Sequence, residues 1–363
     1  TTADILKENR SVESHRTLEE LSEDEQEDAP RKINKIRLAE ALESEILKEA
    51  PVKAIPHNLE PMLASLVKEP FDDPGWLFEV KWDGYRAIAA ITEGNVSLTS
   101  RNQISFKQKF FPLVELLEKF RFDAVLDGEV VILDNQGRAN FQLLQNYQKT
   151  GRGYLVYYVF DLLYFQGHEL LNLPLVKRKE LLKQILPVDA HIKFSDHVVK
   201  DGILFFQVVK DKGLEGILAK HSQSVYKPGR RSRQWLKIKT QLTQEGIIAG
   251  FTEPQKSRKY FGSLILGAYE GDELVYIGSS GGGFNQEKLQ QIYEKLQPLV
   301  QTQMPFKIKP PYRTPITWVK PELVCEVAFT EWTEEGQMRH PVFLRLRDDK
   351  PAREVVRENP AEI

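Results

Sequence analysis

Two rhythms of apolar residues run along this chain. Between residues 33 and 46, Ile36, Ala39, Leu42 and Ile46 recur at helical spacing, which predicts an amphipathic helix. Before it, the run Leu18-Glu19-Glu20-Leu21-Ser22-Glu23-Asp24-Glu25-Gln26-Glu27-Asp28 is acidic and reads as a solvated helix or linker. Pro51, Pro56 and Pro61 then impose an extended lead-in. From residue 76 to 100 the period becomes two, as in Trp76-Leu77-Phe78-Glu79-Val80 and Val96-Ser97-Leu98-Thr99, which predicts antiparallel strands. A helix follows over 111–120, then strands at 124–133, 155–163 and 216–219 with helices between them. This mixture predicts an α+β domain ending near Leu242. Beyond it, short strands at 245–251, 262–269, 273–279 and 323–329, with a helix at 286–300, suit a small Greek-key barrel of the oligonucleotide-binding (OB) type. The expected division is an acidic helical linker or N-terminal extension at 1–55, an α+β domain at 56–242 and a barrel at 243–363.

Composition narrows the class without fixing it. A chain of 363 residues with 41% hydrophobic and 28% charged residues can hold two ordinary folded domains. No apolar run approaches the ~20 residues of a membrane span. The single Cys325 leaves no internal disulfide framework and fits a reducing cytoplasm. The seven histidines show no metal-ligand spacing with it, so no structural zinc site is expected. Net charge is −2, but residues 1–50 hold 14 acidic against 8 basic side chains, leaving 42 basic against 38 acidic in the rest. Global charge therefore neither favours nor excludes a nucleic-acid partner, and local clusters must decide.

The densest chemistry lies in Glu79-Val80-Lys81-Trp82-Asp83-Gly84-Tyr85-Arg86. A lysine amine attacks phosphorus only when deprotonated, which requires desolvation or cationic neighbours that lower its pKa. Arg86 offers a cationic neighbour and a planar fork for phosphate or ribose oxygens. Gly84 allows a close turn beside a ligand. Further along, Ser100-Arg101-Asn102 ends a strand, and Leu126-Asp127-Gly128-Glu129 places a carboxylate at a turn able to hold a ribose hydroxyl or a divalent cation. Trp235-Leu236-Lys237-Ile238-Lys239 puts two lysines on one face of a strand.

Lys81-x-Asp83-Gly84-x-Arg86 resembles the first motif of the covalent nucleotidyltransferases: ATP-dependent DNA ligases, RNA ligases and mRNA capping enzymes. Arg101, Glu129, Tyr157-Tyr158-Val159-Phe160-Asp161, Leu214-Glu215-Gly216-Ile217, the Lys237/Lys239 pair and Arg347-Asp348-Asp349-Lys350 resemble the later motifs, in the family's order. The lead-in Pro61-Met62-Leu63-Ala64 is similar to that of ligases. The fold implied is an α+β nucleotidyltransferase domain of antiparallel sheets with helices, followed by an OB-fold domain.

By this resemblance Lys81 takes AMP from ATP. Glu79, Arg86, Arg101 and Glu129 contact the nucleotide, while Phe160 and Ile217 cover the two faces of the base. Glu129 and Glu215 hold Mg²⁺ or Mn²⁺, Lys237 and Lys239 neutralise the α-phosphate, and Arg347 and Lys350 orient the leaving pyrophosphate. The implied substrate is nicked or broken duplex DNA. The Arg339-His340-Pro341-x-Phe343 segment and the absence of a large DNA-encircling N-terminal domain resemble the ligase module of bacterial nonhomologous end-joining enzymes (the ligase D type). That likeness implies the Ku end-binding protein and fused polymerase and phosphoesterase modules as partners, no membrane, and a cytoplasmic, nucleoid-associated location. The competing readings are an RNA ligase, a capping-type nucleotidyltransferase, and a non-catalytic end-joining scaffold.

Overall fold

The computed structural model describes residues 29–254, 258–311 and 314–358 and divides into two compact units that meet between Thr240 and Gln241. In the first, helices α1 (Ala29–Glu43) and α2 (Glu45–Lys48) precede β1 (Leu63–Leu66), β2 (Asp73–Val80), β3 (Tyr85–Thr92) and β4 (Asn95–Ser100). Next come α3 (Phe111–Leu117), β5 (Ala124–Leu133), α4 (Phe141–Thr150), β6 (Tyr154–Phe165), β7 (His168–Glu169) and α5 (Leu175–Ile185). The unit ends with β8 (Ile192–Phe194), β9 (His197–Lys200), α6 (Gly202–Asp211), β10 (Gly216–His221) and β11 (Arg231–Lys239).

These strands form two sheets. One has the order β4-β3-β5-β6-β7, with β8 parallel to β6, and the other has the order β1-β11-β10-β2-β9. Strand parity explains how they pack. On β3, Tyr85, Ala87, Ala89 and Ile91 enter the large core with α3, α4 and α5, while Ile88 faces the other way. Ile88, Val125 and Phe160 meet Leu77 and Trp235 of the second sheet in a smaller core between the sheets. The outer face of the second sheet, with Phe78, Ile217, Ala219, Leu236 and Ile238, is covered by Phe205, Phe206 and Val209 of α6. Polar residues that alternate with these apolar ones therefore point into the inter-sheet space.

Two glycines are required by backbone contacts. A Cβ on Gly84 would lie 2.2 Å from the Val130 carbonyl oxygen, and one on Gly216 would lie 2.1 Å from that of Ile238. The close approach expected at Gly84 is thus to β5.

The segment expected as a linker differs in its described part. The chain bends at Ser44, whose Oγ accepts the Ile46 N–H at 3.2 Å. Ala41, Leu47 and Ala50 are buried in the large core, and Lys177 pairs with Glu49 at 2.6 Å. Ile36 and Leu42, assigned above to the apolar stripe, are exposed. The short side chain of Ala41 sets the contact face. The acidic run at 18–28 lies outside the described residues.

The second unit contains β12 (Thr243–Thr252), β13 (Leu264–Glu270), β14 (Glu273–Ser280), α7 (Gln286–Leu296), β15 (Val300–Gln301), β16 (Ile316–Val319), β17 (Val324–Ala328) and β18 (Val342–Arg347). Its sheet runs β14-β13-β12-β16-β15, with β17 pairing both β12 and β18. The long strand β12 bends at an irregularity between Ile248 and Gly250, and so pairs with β13, β16 and β17. This is the OB-type architecture. Helix α7, capped by Asn285 accepting from the Lys288 N–H at 2.8 Å, buries Leu289, Ile292 and Leu296. Strands β15, β16 and β18 were not among those expected.

One buried ion pair fixes α5 to β6. Arg178 donates to Asp161 at 2.7 and 2.8 Å, and also to the Leu173 and Ser224 carbonyls, with no side-chain exposure on either partner of the pair. Removing one member of such a pair leaves an uncompensated buried charge, at a cost of about 3–5 kcal/mol. Arg178→Ala should therefore lower the unfolding free energy by about that amount in urea titration. A loss under ~1 kcal/mol would show that water or rearrangement compensates Asp161.

Candidate active site

The inter-sheet space is lined by polar side chains in register. On the second sheet, β10 pairs with both β11 and β2, so Leu218 lies beside Lys237 on one side and Glu79 on the other. One step away, Lys239 is opposite Gly216, whose carbonyl accepts the Lys81 N–H at 2.9 Å. On the first sheet, Arg86, Glu129 and Tyr158 form a row across β3, β5 and β6. Lys81, just after β2, is ion-paired through Nζ to Glu215, just before β10, and both side chains keep some exposure, at 20% and 17%. Arg101 is partly buried in the turn after β4, where Ser100 Oγ accepts from the Asn102 and Ile104 N–H groups.

The electrostatics of Lys81 differ from the expectation. Burial is the largest single influence and lowers its pKa, but Glu215, Asp83 and Glu129 together outweigh it, and the net shift is upward. The expected cationic neighbour is engaged elsewhere. Arg86 donates to Asp127 at 2.5 and 2.6 Å, and Tyr226 Oη donates to the same carboxylate at 2.6 Å. Its fork for phosphate or ribose is therefore taken by a buried carboxylate, and Lys81 is held as an ammonium.

Two base-contact assignments also need correction. Ile217 is fully buried on the α6 side of its sheet, with Ala219 and Ile238. Leu218 is the neighbour that faces Lys237. Phe160 is 3% exposed, with Arg86 4.5 Å over its ring and Lys220 3.9 Å over it. It is the extra residue of a bulge: β6 residues Asp161 and Val159 pair with consecutive Asp127 and Gly128. The half-buried aromatic on the site row is Tyr158, stacked on Trp82 at 3.8 Å with 7° between the planes.

Glu79 is buried and accepts from Lys179 and Lys220, each at 2.8 Å. Burial opposes its charge, yet the two lysines outweigh burial and lower its pKa. Burial also pushes Lys220 down to about 8 despite Glu79. Both carboxylate oxygens of Glu79 are thus occupied inside the protein. Sequence reasoning missed Lys179 and Lys220 as partners, since Lys179 lies 100 residues from Glu79 on a helix with no local motif. It missed Trp82 and Tyr158 too, although both stand within quoted motifs.

Arg347 and Lys350 lie in the second unit. Arg347 is bidentate to Asp349 at 2.7 and 2.6 Å, and Lys350 pairs with Glu245. Among the described residues no three His, Cys, Asp or Glu side chains converge as a metal cage. Glu129 and Glu215 both act on the Lys81 charge. Two carboxylates suit a hydrated divalent cation whose remaining ligands come from phosphate oxygens, the usual arrangement for Mg²⁺.

Comparison with known proteins agrees with this arrangement. Residues 61–239 match the ATP dependent DNA ligase domain and residues 257–350 the ATP dependent DNA ligase C terminal region. The multifunctional non-homologous end joining protein LigD of Pseudomonas aeruginosa is 39% identical over 316 residues, which cover 85% of this chain and 37% of that protein. The corresponding DNA repair protein LigD of Mycobacterium tuberculosis is 36% identical over 306 residues, 83% of this chain and 40% of that protein. The chain thus spans about two fifths of the length of these curated relatives. A solved structure of mycobacterial DNA ligase D complexed with ATP and MES is 36% identical, with a TM-score of 0.62 over 83% of this chain and 99% of that one. Both family regions fall on the two units in order, and a solved ligase chain is covered almost entirely. The chain belongs to the ATP-dependent DNA ligases.

Proposed function

We propose that this chain seals breaks between a 3′-hydroxyl and a 5′-phosphate in duplex DNA, through a lysyl-AMP and then a DNA-adenylate. The observation that carries the reading is Lys81 at the edge of two facing sheets, paired with Glu215, with Lys237 and Lys239 on the same face as Leu218 and Glu79. A scaffold that only binds DNA has no need of this arrangement. By analogy with its LigD relatives, the chain acts in nonhomologous end joining. It would work in the cytoplasm, on ends presented by Ku, beside polymerase and phosphoesterase modules. Among the described residues no helix is long and apolar enough to cross a membrane.

In the first step the Lys81 Nζ lone pair forms a bond to the α-phosphorus as the bond to the bridging oxygen of pyrophosphate breaks. The ammonium must lose one proton before attack, which the Glu215 carboxylate, already hydrogen-bonded to Nζ, is placed to accept, and the nitrogen loses a second to solvent or pyrophosphate once the N–P bond forms. Lys237 and Lys239 neutralise charge on the phosphate, the dominant requirement in phosphoryl transfer. A divalent cation held by Glu129 and Glu215 would add to that neutralisation. A 5′-phosphate oxygen then displaces Lys81 from AMP, and the 3′-hydroxyl displaces AMP from the DNA.

Lys81→Ala should give no covalent AMP adduct by mass spectrometry after incubation with ATP and Mg²⁺, while its unfolding midpoint stays within a few degrees of wild type. Arg at this position should not rescue, since guanidinium stays protonated. A wild-type level of adduct on Lys81→Ala would end the assignment.

Glu215 gives a pH test with a definite sign. It raises the Lys81 pKa, so the self-adenylation rate should climb with pH through the alkaline range. Glu215→Gln removes the raising charge and should move that limb to lower pH, while the maximal rate falls for want of the carboxylate. An unmoved limb would mean that another group titrates.

If Arg347 and Lys350 act on the leaving pyrophosphate, they serve the first step alone. Replacing both with Ala should cut self-adenylation by on the order of 100-fold or more and spare sealing of a nick supplied already adenylated. An equal loss in both assays would place these residues on DNA binding or folding.

A further inference from the structure

A charge network crosses three strands of the second unit. Glu245 on β12 is in register with Glu326 on β17, which is in register with Arg345 on β18. Arg345 reaches Glu326 at 2.5 Å. Arg347 turns the Nε/Nη2 edge of its guanidinium to Asp349, and its Nη1 lies 3.7 Å from Glu245 and 3.8 Å from Glu326. Lys350 pairs with the other oxygen of Glu245. The six side chains carry three charges of each sign. Glu245 lies within ion-pair distance of both Arg347 and Lys350, and it stands 105 residues before Lys350.

We propose that Glu245 is a positioning residue for the first chemical step, holding Arg347 and Lys350 in the arrangement that receives the pyrophosphate leaving group. The proposal rests on the reading that these two cations orient pyrophosphate. A lysine side chain is a point charge on a flexible stem, and without an anchor its ammonium samples many positions. Asp349 fixes the plane of Arg347 from one edge. Glu245 faces its Nη1 together with Glu326, and of these two it is Glu245 that also holds Lys350. The two cations thereby share one reference point on β12, a rigid strand paired to three others. Catalytic groups held in this way need little reorganisation when charge develops on the leaving oxygen. Asp349 stands next to Lys350 and two residues after Arg347 in sequence, whereas Glu245 contributes only through the fold.

The test compares Glu245→Gln and Glu245→Asp with wild type and with the Arg347/Lys350 double Ala variant. Each is assayed for self-adenylation at saturating and limiting ATP, for pyrophosphate-driven loss of AMP from the adenylated protein, and for sealing of a pre-adenylated nick. Glu245→Gln is expected to slow self-adenylation and its pyrophosphate-driven reversal by a similar factor, on the order of 10- to 100-fold, because one misplaced contact affects both directions of one step. Sealing of the pre-adenylated nick should stay within about twofold, and Asp should restore part of the loss. If the Gln variant does not fold, Glu245→Asp carries the test, with a smaller loss confined to the same two assays. Wild-type first-step rates in a folded Glu245 variant, beside a selective loss in the double variant, overturn the role of Glu245 alone. Equal losses in all assays also overturn it, because they mark a structural role. No selective loss in the double variant overturns the underlying reading of Arg347 and Lys350, and this proposal with it.

Discussion

Buried carboxylates, each matched to a cation, organise the space between the two sheets of the first unit. Glu79 is held by Lys179 and Lys220, Asp127 by Arg86, and Asp161 by Arg178. Isolated charges at such depth would be costly, whereas hydrogen-bonded pairs can be retained. The pairs dictate which way neighbouring side chains turn. Because Asp127 takes Arg86, the guanidinium lies over Phe160 rather than beside Lys81. Because Glu79 takes Lys220, that ammonium sits over Phe160 too, and the phenyl ring becomes a floor between two cations. Lys81 and Glu215, paired with each other, keep some exposure at the edge of this balanced interior.

Much of this was legible in the sequence because strand parity is a strong rule. Alternation over residues 76–100 marked strands that the structure confirms as β2 to β4, the apolar run at 124–133 is β5, and parity put Lys237 and Lys239 on one face. The rule failed at two positions. A bulge adds Phe160 to β6, and Ile217 lies on the α6 side of β10, so both proposed base contacts turned inward. Neither has a strong sequence mark, since an apolar residue in a strand does not reveal which side of the sheet it takes. Strand β18 is interrupted by an irregularity between Phe343 and Arg345, and this stretch was read only as a charged motif.

Long-range pairs were illegible for a different reason. Lys179 and Glu79 are 100 residues apart, and Glu245 and Lys350 are 105 apart. A lysine on a helix is ordinarily a solvated one, and nothing local distinguishes Lys179 from Lys177, which pairs with exposed Glu49. The fold selects one of them for burial by the angle at which α5 lies on β6. Such residues can be found only once the packing is known, although they govern what the motif residues are able to do.

The raised pKa of Lys81 sharpens the chemistry. A nucleophilic amine must be neutral, yet the carboxylates of Glu215, Asp83 and Glu129 all act on Lys81 to favour the ammonium. The lysines at 237 and 239 do not outweigh them, and an incoming triphosphate would add more negative charge. In the first step proposed above, deprotonation is therefore coupled to a change at Glu215, either by transfer of the proton onto that carboxylate or by its engagement with another cation.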